Sequence, residues 1–224
     1  MVIAETFTSL QGEGILAGVP SFFIRTSGCN LRCAWCDTPY TSWAPEGSRR
    51  PVADLLAGAE ASGARHVVVT GGEPLLQREL GELTRRLAGA GFHVTVETAG
   101  TLVPEFGCDL LSVSPKTAGS DPEGRWLARH RAVRSDLEPL RTLLGRHREH
   151  QLKFVVRGAA DLDDVEAVVA AVRADRGRVL LMPEGRTAQE VGSRAGEVAR
   201  LCLRHGFRYS PRLHLSLFGQ GRGV

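Results

Sequence analysis

Short apolar runs alternate with amphipathic stretches along most of the chain. Residues 21–26 (SFFIRT), 66–70 (HVVVT), 93–97 (HVTVE), 109–113 (DLLSV), 151–156 (QLKFVV) and 178–182 (RVLLM) read as strands, and the β-branched run 66–70 is typical of one buried on both faces. Helix patterns lie between them. One spans 51–61 and stops at Gly63; another runs from about 76 to 90 and ends near Gly91. Asp161 is placed to cap a helix with Leu162, Val165, Val168, Val169 and Val172 on one face. Thr187 and Glu190 have capping-box spacing and open a helix through Val191, Val198 and Leu201; Arg204 and His205 fall in its last turn and Gly206 ends it. The stretch 117–150, rich in Arg, Gly, Pro and Asp, predicts a loop with a short helix near 137–144, and a short segment at 207–217, with His214 in a strand, closes the chain.

This β-α order implies a parallel sheet with crossover helices. A chain of 224 residues is short for a full eight-fold barrel of about 250. The expected fold is therefore α/β, a partial (open) TIM-like barrel with a mostly parallel sheet of about six strands; a doubly wound open sheet is the alternative. With 42% hydrophobic residues, residues 1–224 make one domain with a substantial core. The formal charge of +3 is too small to point to nucleic acid. No apolar run approaches the roughly 20 residues of a membrane span, and no basic-then-apolar leader opens the chain, so the expectation is a cytoplasmic protein without a membrane.

The chain has five cysteines, and Cys29, Cys33 and Cys36 lie within eight residues of one another. That is poor disulfide arithmetic and good metal-site arithmetic. Three thiolates in a CxxxCxxC loop suit a [4Fe–4S] cluster with one open iron. A zinc ion with Asp37 or His66 as a fourth ligand is the alternative. Cys108 and Cys202 are distant and read as small buried residues. The run Thr70-Gly71-Gly72-Glu73-Pro74 follows the HVVV strand, where glycines let backbone approach a ligand and Glu73 can accept from an ammonium group.

The CxxxCxWC loop, with Trp35 before Cys36, and the GGEP run together resemble the cluster and S-adenosylmethionine (SAM) segments of radical SAM enzymes. Leu10-Gln11-Gly12-Glu13-Gly14, Phe23-Ile24-Arg25, Cys36-Asp37-Thr38, Glu97-Thr98-Ala99-Gly100-Thr101 and Ser114-Pro115-Lys116 narrow the resemblance to the 7-carboxy-7-deazaguanine synthases. The resemblance implies a radical SAM core and conversion of 6-carboxy-5,6,7,8-tetrahydropterin to 7-carboxy-7-deazaguanine with loss of ammonia. A 5′-deoxyadenosyl radical would abstract hydrogen from the pterin, on the way to 7-deazapurines such as queuosine. It implies SAM, the cluster and Mg²⁺ as cofactors, a flavodoxin-like or ferredoxin-like one-electron donor, and a homodimer.

It also implies roles for individual residues. Leu10, Gln11, Gly12, Glu13, Arg25, Thr70, Glu97 and His214 would face the pterin, with Arg25 on its carboxylate. Trp35, Gly71, Gly72, Glu73, Ser114, Pro115, Lys116 and Met182 would hold SAM. Cys29, Cys33 and Cys36 would ligate the cluster and Thr38 the Mg²⁺. A different radical SAM reaction, such as glycyl-radical activation, and a zinc or redox iron–sulfur binding module are the rival readings.

Overall fold

Buried runs that look uniformly apolar resolve into two faces once they are paired into a sheet. The structure is a computed structural model that describes residues 1–223; Val224, the last residue of the FGQGRGV tail, lies outside the described residues. The strands are β1 (Val2–Leu10), β2 (Pro20–Thr26), β3 (Ser48–Arg49), β4 (His66–Gly71), β5 (His93–Thr98), β6 (Leu110–Val113), β7 (His150–Val156), β8 (Val179–Pro183) and β9 (Arg208–Tyr209). The helices are α1 (Pro39–Ser42), α2 (Val52–Ala61), α3 (Leu80–Gly89), α4 (Leu127–Ser135), α5 (Glu138–Arg146), α6 (Leu162–Val172), α7 (Ala188–His205) and α8 (Leu213–Phe218).

Among the described residues these strands form one sheet in the order β3-β1-β2-β4-β5-β6-β7-β8-β9. From β2 to β9 every pairing is parallel, while β1 runs antiparallel to both β2 and β3. The ends do not meet, so the barrel is open, and its six principal parallel strands are the six expected from hydrophobic runs. Two-residue periodicity sorts their side chains. Val67, Val69, Val94, Val96, Leu111, Val113, Leu152, Phe154, Val179 and Leu181 are buried in the core. Each such side chain contributes roughly 1.5–3 kcal/mol on transfer from water. The alternate positions carry Arg25, Thr70, Glu97, Ser112, Lys153 and Met182, all of which line one cavity.

Several expectations shift. The antiparallel β1 is additional: of its residues only Ile3 is fully buried, so it lacks the doubly buried signature. The helix expected from 76 begins at Leu80, because Gln77 is extended and its amide is spent on Ser27 O (3.0 Å) and Val2 N (2.8 Å). Asp161 does not cap α6; its carboxylate accepts instead from Arg157 N at 2.7 Å. The capping box of Thr187 and Glu190 and the left-handed Gly206 bound α7 as expected. The stretch 117–150 holds α4 besides α5. Helix α4 buries only His130, so no apolar stripe announces it. His214 belongs to α8, not to a strand.

Candidate active site

A cavity of about 570 Å³ opens at the carboxyl ends of the parallel strands, where barrel sites form. Its lining includes Cys29, Cys33 and Cys36 together with Gln11, Glu13, Arg25, Glu97 and Lys153.

The cysteine loop leaves β2 and is pinned from several directions. Gly28 N donates to Thr41 O (2.8 Å), Glu73 N to Gly28 O (2.8 Å) and Trp43 Nε1 to Cys33 O (3.0 Å). Gly71 and Gly72 are needed here: a Cβ on either would strike backbone, of Thr26 for the first and of Gly28 and Thr41 for the second. All three thiols are free. Burial, with nearby Glu73, pushes Cys29 up to about 12; burial also pushes Cys33 up to about 11 despite Lys116. Their protein partners are sparse: Cys36 Sγ lies 3.2 Å from Ser42 Oγ, and Cys29 Sγ accepts from Leu31 N at 3.4 Å. Buried thiols with so few donors hold a negative charge only beside a cation. No three His, Cys, Asp or Glu side chains converge as a single-ion site among the described residues. A cubane, which takes one thiolate per iron, suits the loop better than one zinc.

Near this loop, Trp35, Ser114, Lys116 and Met182 line the cavity, as do Gly71 and Gly72. Lys116 Nζ donates to Ser114 Oγ at 2.8 Å and sits 5.4 Å from the Trp35 ring centroid. Thr38 lines the cavity with its hydroxyl 3.3 Å from that of Thr41. Glu73 and Pro115 are buried and are not part of the lining. The Glu73 carboxylate accepts from Thr98 Oγ1 (2.7 Å), Ala99 N (2.9 Å) and Leu75 N (3.0 Å), which fixes its position behind the Gly71-Gly72 turn. Burial nonetheless raises its pKa.

The other wall is a polar network. Glu97 accepts from Gln11 Nε2 (3.1 Å) and Thr70 Oγ1 (2.9 Å), and Lys153 Nζ lies 3.9 Å away. Glu13 pairs with Lys153 through Oε2 and with Arg212 Nε at 3.1 Å; Arg212 also pairs with Asp37 and donates to Gly185 O. Burial opposes the charge on Glu13, but Lys153 and Arg212 outweigh it and hold the carboxyl well below its usual range. Burial likewise opposes the Lys153 charge, and Glu13 and Glu97 outweigh it, raising its pKa. Asp37 is lowered because Arg212 overcomes desolvation. Arg25 spends Nε on Glu5 at 2.7 Å, across the β1–β2 pair, and lines the cavity. His214 packs on Gly12, where any Cβ would collide with the imidazole; desolvation lowers its pKa and keeps it neutral. Leu10 and Gly12 complete this lining.

Lys153 and Arg212 are the residues that hydrophobic patterning misses. Lys153 is hidden inside QLKFVV, and only alternation against Leu152 and Phe154 marks it as inward-facing. Arg212 sits in an irregular stretch before α8 and carries no local signal.

Comparison with known proteins places this geometry. The radical SAM superfamily model matches residues 23–158. The 7-carboxy-7-deazaguanine synthase of Halobacterium salinarum is 47% identical over 231 residues, covering 96% of this chain and 90% of the relative. That of Rhodopirellula baltica is 42% identical over 100% of this chain and 89% of its own. The crystal structure of QueE from Escherichia coli superposes with a TM-score of 0.69 at 30% identity, covering 93% of this chain and 92% of that one.

Proposed function

Since the chain belongs to the 7-carboxy-7-deazaguanine synthase family of the radical SAM superfamily, we propose that it converts 6-carboxy-5,6,7,8-tetrahydropterin to 7-carboxy-7-deazaguanine with loss of ammonia, and that the cavity residues divide that task. Cys29, Cys33 and Cys36 would hold the [4Fe–4S] cluster; Trp35, Gly71, Gly72, Ser114, Lys116 and Met182 would hold SAM. When bound, these two groups supply the radical that removes hydrogen from the substrate. The protein's part is to position and to exclude water. Gln11, Glu13 and Glu97 present acceptors for the amino and ring N–H groups of a pterin. Arg25 keeps its terminal nitrogens for the carboxylate, its Nε being spent on Glu5. Neutral His214 packs against Gly12 and closes one side.

The observation that carries this reading is one cavity lined by three thiols and by a charged wall in which Glu13 is held ionised and Glu97 is hydrogen-bonded. Glu73 serves from behind, tying the Gly71-Gly72 turn to the end of β5. Mg²⁺ is proposed at Thr38, drawing the rest of its shell from substrate oxygens and water. Residues 1–224 are proposed to work as one domain and as a homodimer, in the cytoplasm, where five free thiols remain reduced. Among the described residues no helix is long and apolar enough to cross a membrane. A radical SAM enzyme takes its electron from an external donor, here proposed to be flavodoxin-like or ferredoxin-like.

The test is an anaerobic incubation of reconstituted protein with SAM, a reductant, Mg²⁺ and the carboxytetrahydropterin. The deazaguanine acid should accumulate over many turnovers. Deoxyadenosine in traces without any deazapurine would overturn the substrate assignment.

A further inference from the structure

The cysteine loop has an outer side as well as the side that faces the cavity. Ala34 N donates to Ser120 O (3.0 Å) and Arg32 N donates to His130 Nδ1 (3.1 Å), so the segment leading into α4 backs the loop directly. Ser120 and His130 are buried, and Ser120 Oγ lies 3.0 Å from His130 Nε2, which ties this backing together. Its surface carries Arg32, Arg125, Arg129, Arg131 and Arg134 against Asp121 and Glu123. Arg131 and Arg134 both pair with Asp121, at 2.6 and 2.7 Å. Arg125 and Arg129 are exposed and form no ion pair among the described residues.

Two further contacts connect this surface to the site. Arg32 and Arg125 both lie over the Trp126 ring, at 4.9 and 5.2 Å from its centroid, which fixes their guanidinium groups in place. Arg32 belongs to the cysteine loop, where its Nη1 donates to Cys29 O at 2.7 Å, and its contact with Trp126 joins the loop to the surface patch. The acidic start of α6, where Asp164 accepts from Ala118 N at 2.6 Å, bounds the patch.

The reaction proposed above requires an electron from outside the protein. Its cavity side is committed to SAM and substrate, and the other face of the loop is this arginine surface. We propose that the face formed by Arg32, Arg125, Arg129 and Trp126 is the docking surface for an acidic, low-potential one-electron carrier protein. The inference rests on the radical SAM reading of the same loop. In each encounter the carrier loses one electron and the cluster gains one; for a flavin carrier, the anionic hydroquinone becomes the neutral semiquinone, with no proton transferred. Charge complementarity of this kind acts chiefly on the rate of encounter and weakens with salt.

The experiment uses the reconstituted holoenzyme and the hydroquinone of an acidic flavodoxin. Cluster reduction is followed by bleaching of visible absorbance in a stopped-flow instrument, and complex formation by fluorescence anisotropy of labelled flavodoxin. The double reversal R125E/R129E should lower the second-order rate constant about tenfold or more at low ionic strength, with the gap to the parent closing as salt rises. R125K/R129K should retain most of the rate. Dithionite, a small reductant that needs no docking, should reduce both variants as fast as the parent. A flavodoxin rate unchanged by charge reversal would overturn the proposal. So would an equal loss with dithionite, which would assign these arginines to the integrity of the loop. Failure of dithionite to reduce the parent protein would instead strike at the radical SAM reading itself.

Discussion

The two ends of the same strands carry opposite electrostatics. At the carboxyl ends of β4, β5 and along β7, buried Lys153 and half-buried Glu97 and Glu13 each have a partner of opposite sign or a hydrogen-bond donor. At the amino ends of β4 and β5, His66 and His93 stack at a tilt of 33° with ring centroids 4.6 Å apart, and both Nδ1 atoms are buried without a partner. Beside them Cys108 Sγ lies 3.6 Å from His147 Nδ1, and burial holds that thiol protonated, up to about 12. One end of the barrel keeps charge in low dielectric and must neutralise it pairwise; the other holds the Cys108 thiol protonated, lowers the His66 pKa by desolvation and leaves two imidazole nitrogens without partners. The comparison separates a working end from a supporting end without reference to any ligand.

The largest contrast lies between a cysteine at each end. Cys33→Ala should remove cluster binding and bring turnover to background, read as loss of brown colour and of product. Cys108→Ala should leave turnover within about twofold, since it removes only a small buried group. Survival of turnover in Cys33→Ala would sink the ligand assignment.

Next in size is the charged wall. Lys153 is only 4% exposed, and its removal leaves Glu97 without a cation and Glu13 with Arg212 alone. Lys153→Met should cost about 3–5 kcal/mol of stability, read from urea unfolding of the apoprotein. It should also lower kcat/KM by about a hundredfold or more, mostly through KM if the pair only positions Glu13. The double variant Lys153→Met/Glu13→Leu should recover part of the stability and none of the activity. A double-variant loss equal to the sum of the two single-variant losses would show that the two residues do not act as a pair. The pH dependence follows with opposite signs for the partners. The Glu13 contribution is present above its unfolded pKa and lost as pH falls below it; the Lys153 contribution is present below its unfolded pKa and lost as pH rises through the folded value. Between roughly pH 5 and 9 neither group titrates, so stability lent by the pair should be flat there.

What patterning shows follows the same division. The six parallel strands are legible because their core-facing positions are apolar throughout, and the α7 boundaries because caps are local chemistry. The cysteine loop and the GGEP turn are legible because metal ligation and close backbone approach demand particular residues at fixed spacing. The long-range partners are not. Glu13 meets Lys153 and Arg212 from segments far apart in the chain, and no local pattern encodes that meeting. Glu73 shows the converse: its motif is local, but two of the three donors that reach it, Thr98 Oγ1 and Ala99 N, depend on how β5 lies beside β4. Strand β1 escapes because an antiparallel strand near the sheet edge is half-exposed and needs no apolar run.

Gly12 offers an intermediate effect. Gly12→Ala places a methyl against the His214 ring, so α8 must shift. KM for the pterin should rise about tenfold while cluster absorbance is unchanged, since the cysteines are untouched. A change in cluster absorbance with normal KM would place His214 away from the substrate side.

The smallest expected effect tests the supporting end. His66→Phe preserves the stack on His93 and deletes one titratable ring. Turnover should stay within about twofold and stability at neutral pH within about 1 kcal/mol. The informative quantity is the acid limb. Desolvation, with His93 adding to it and Asp109 opposing it, lowers the His66 pKa in the folded protein. The unfolded chain therefore binds the proton more readily. Stability lent by the neutral ring is complete above about pH 6.5 and is lost as pH falls through the unfolded value toward the folded one. The Phe variant should lose less stability than the parent between pH 7.5 and 5.5, measured as the difference in urea midpoint. If both lose the same amount, the stack carries no proton-linked energy. If the variant loses turnover with its stability intact, the amino ends are not merely supporting, and the division between the two ends fails.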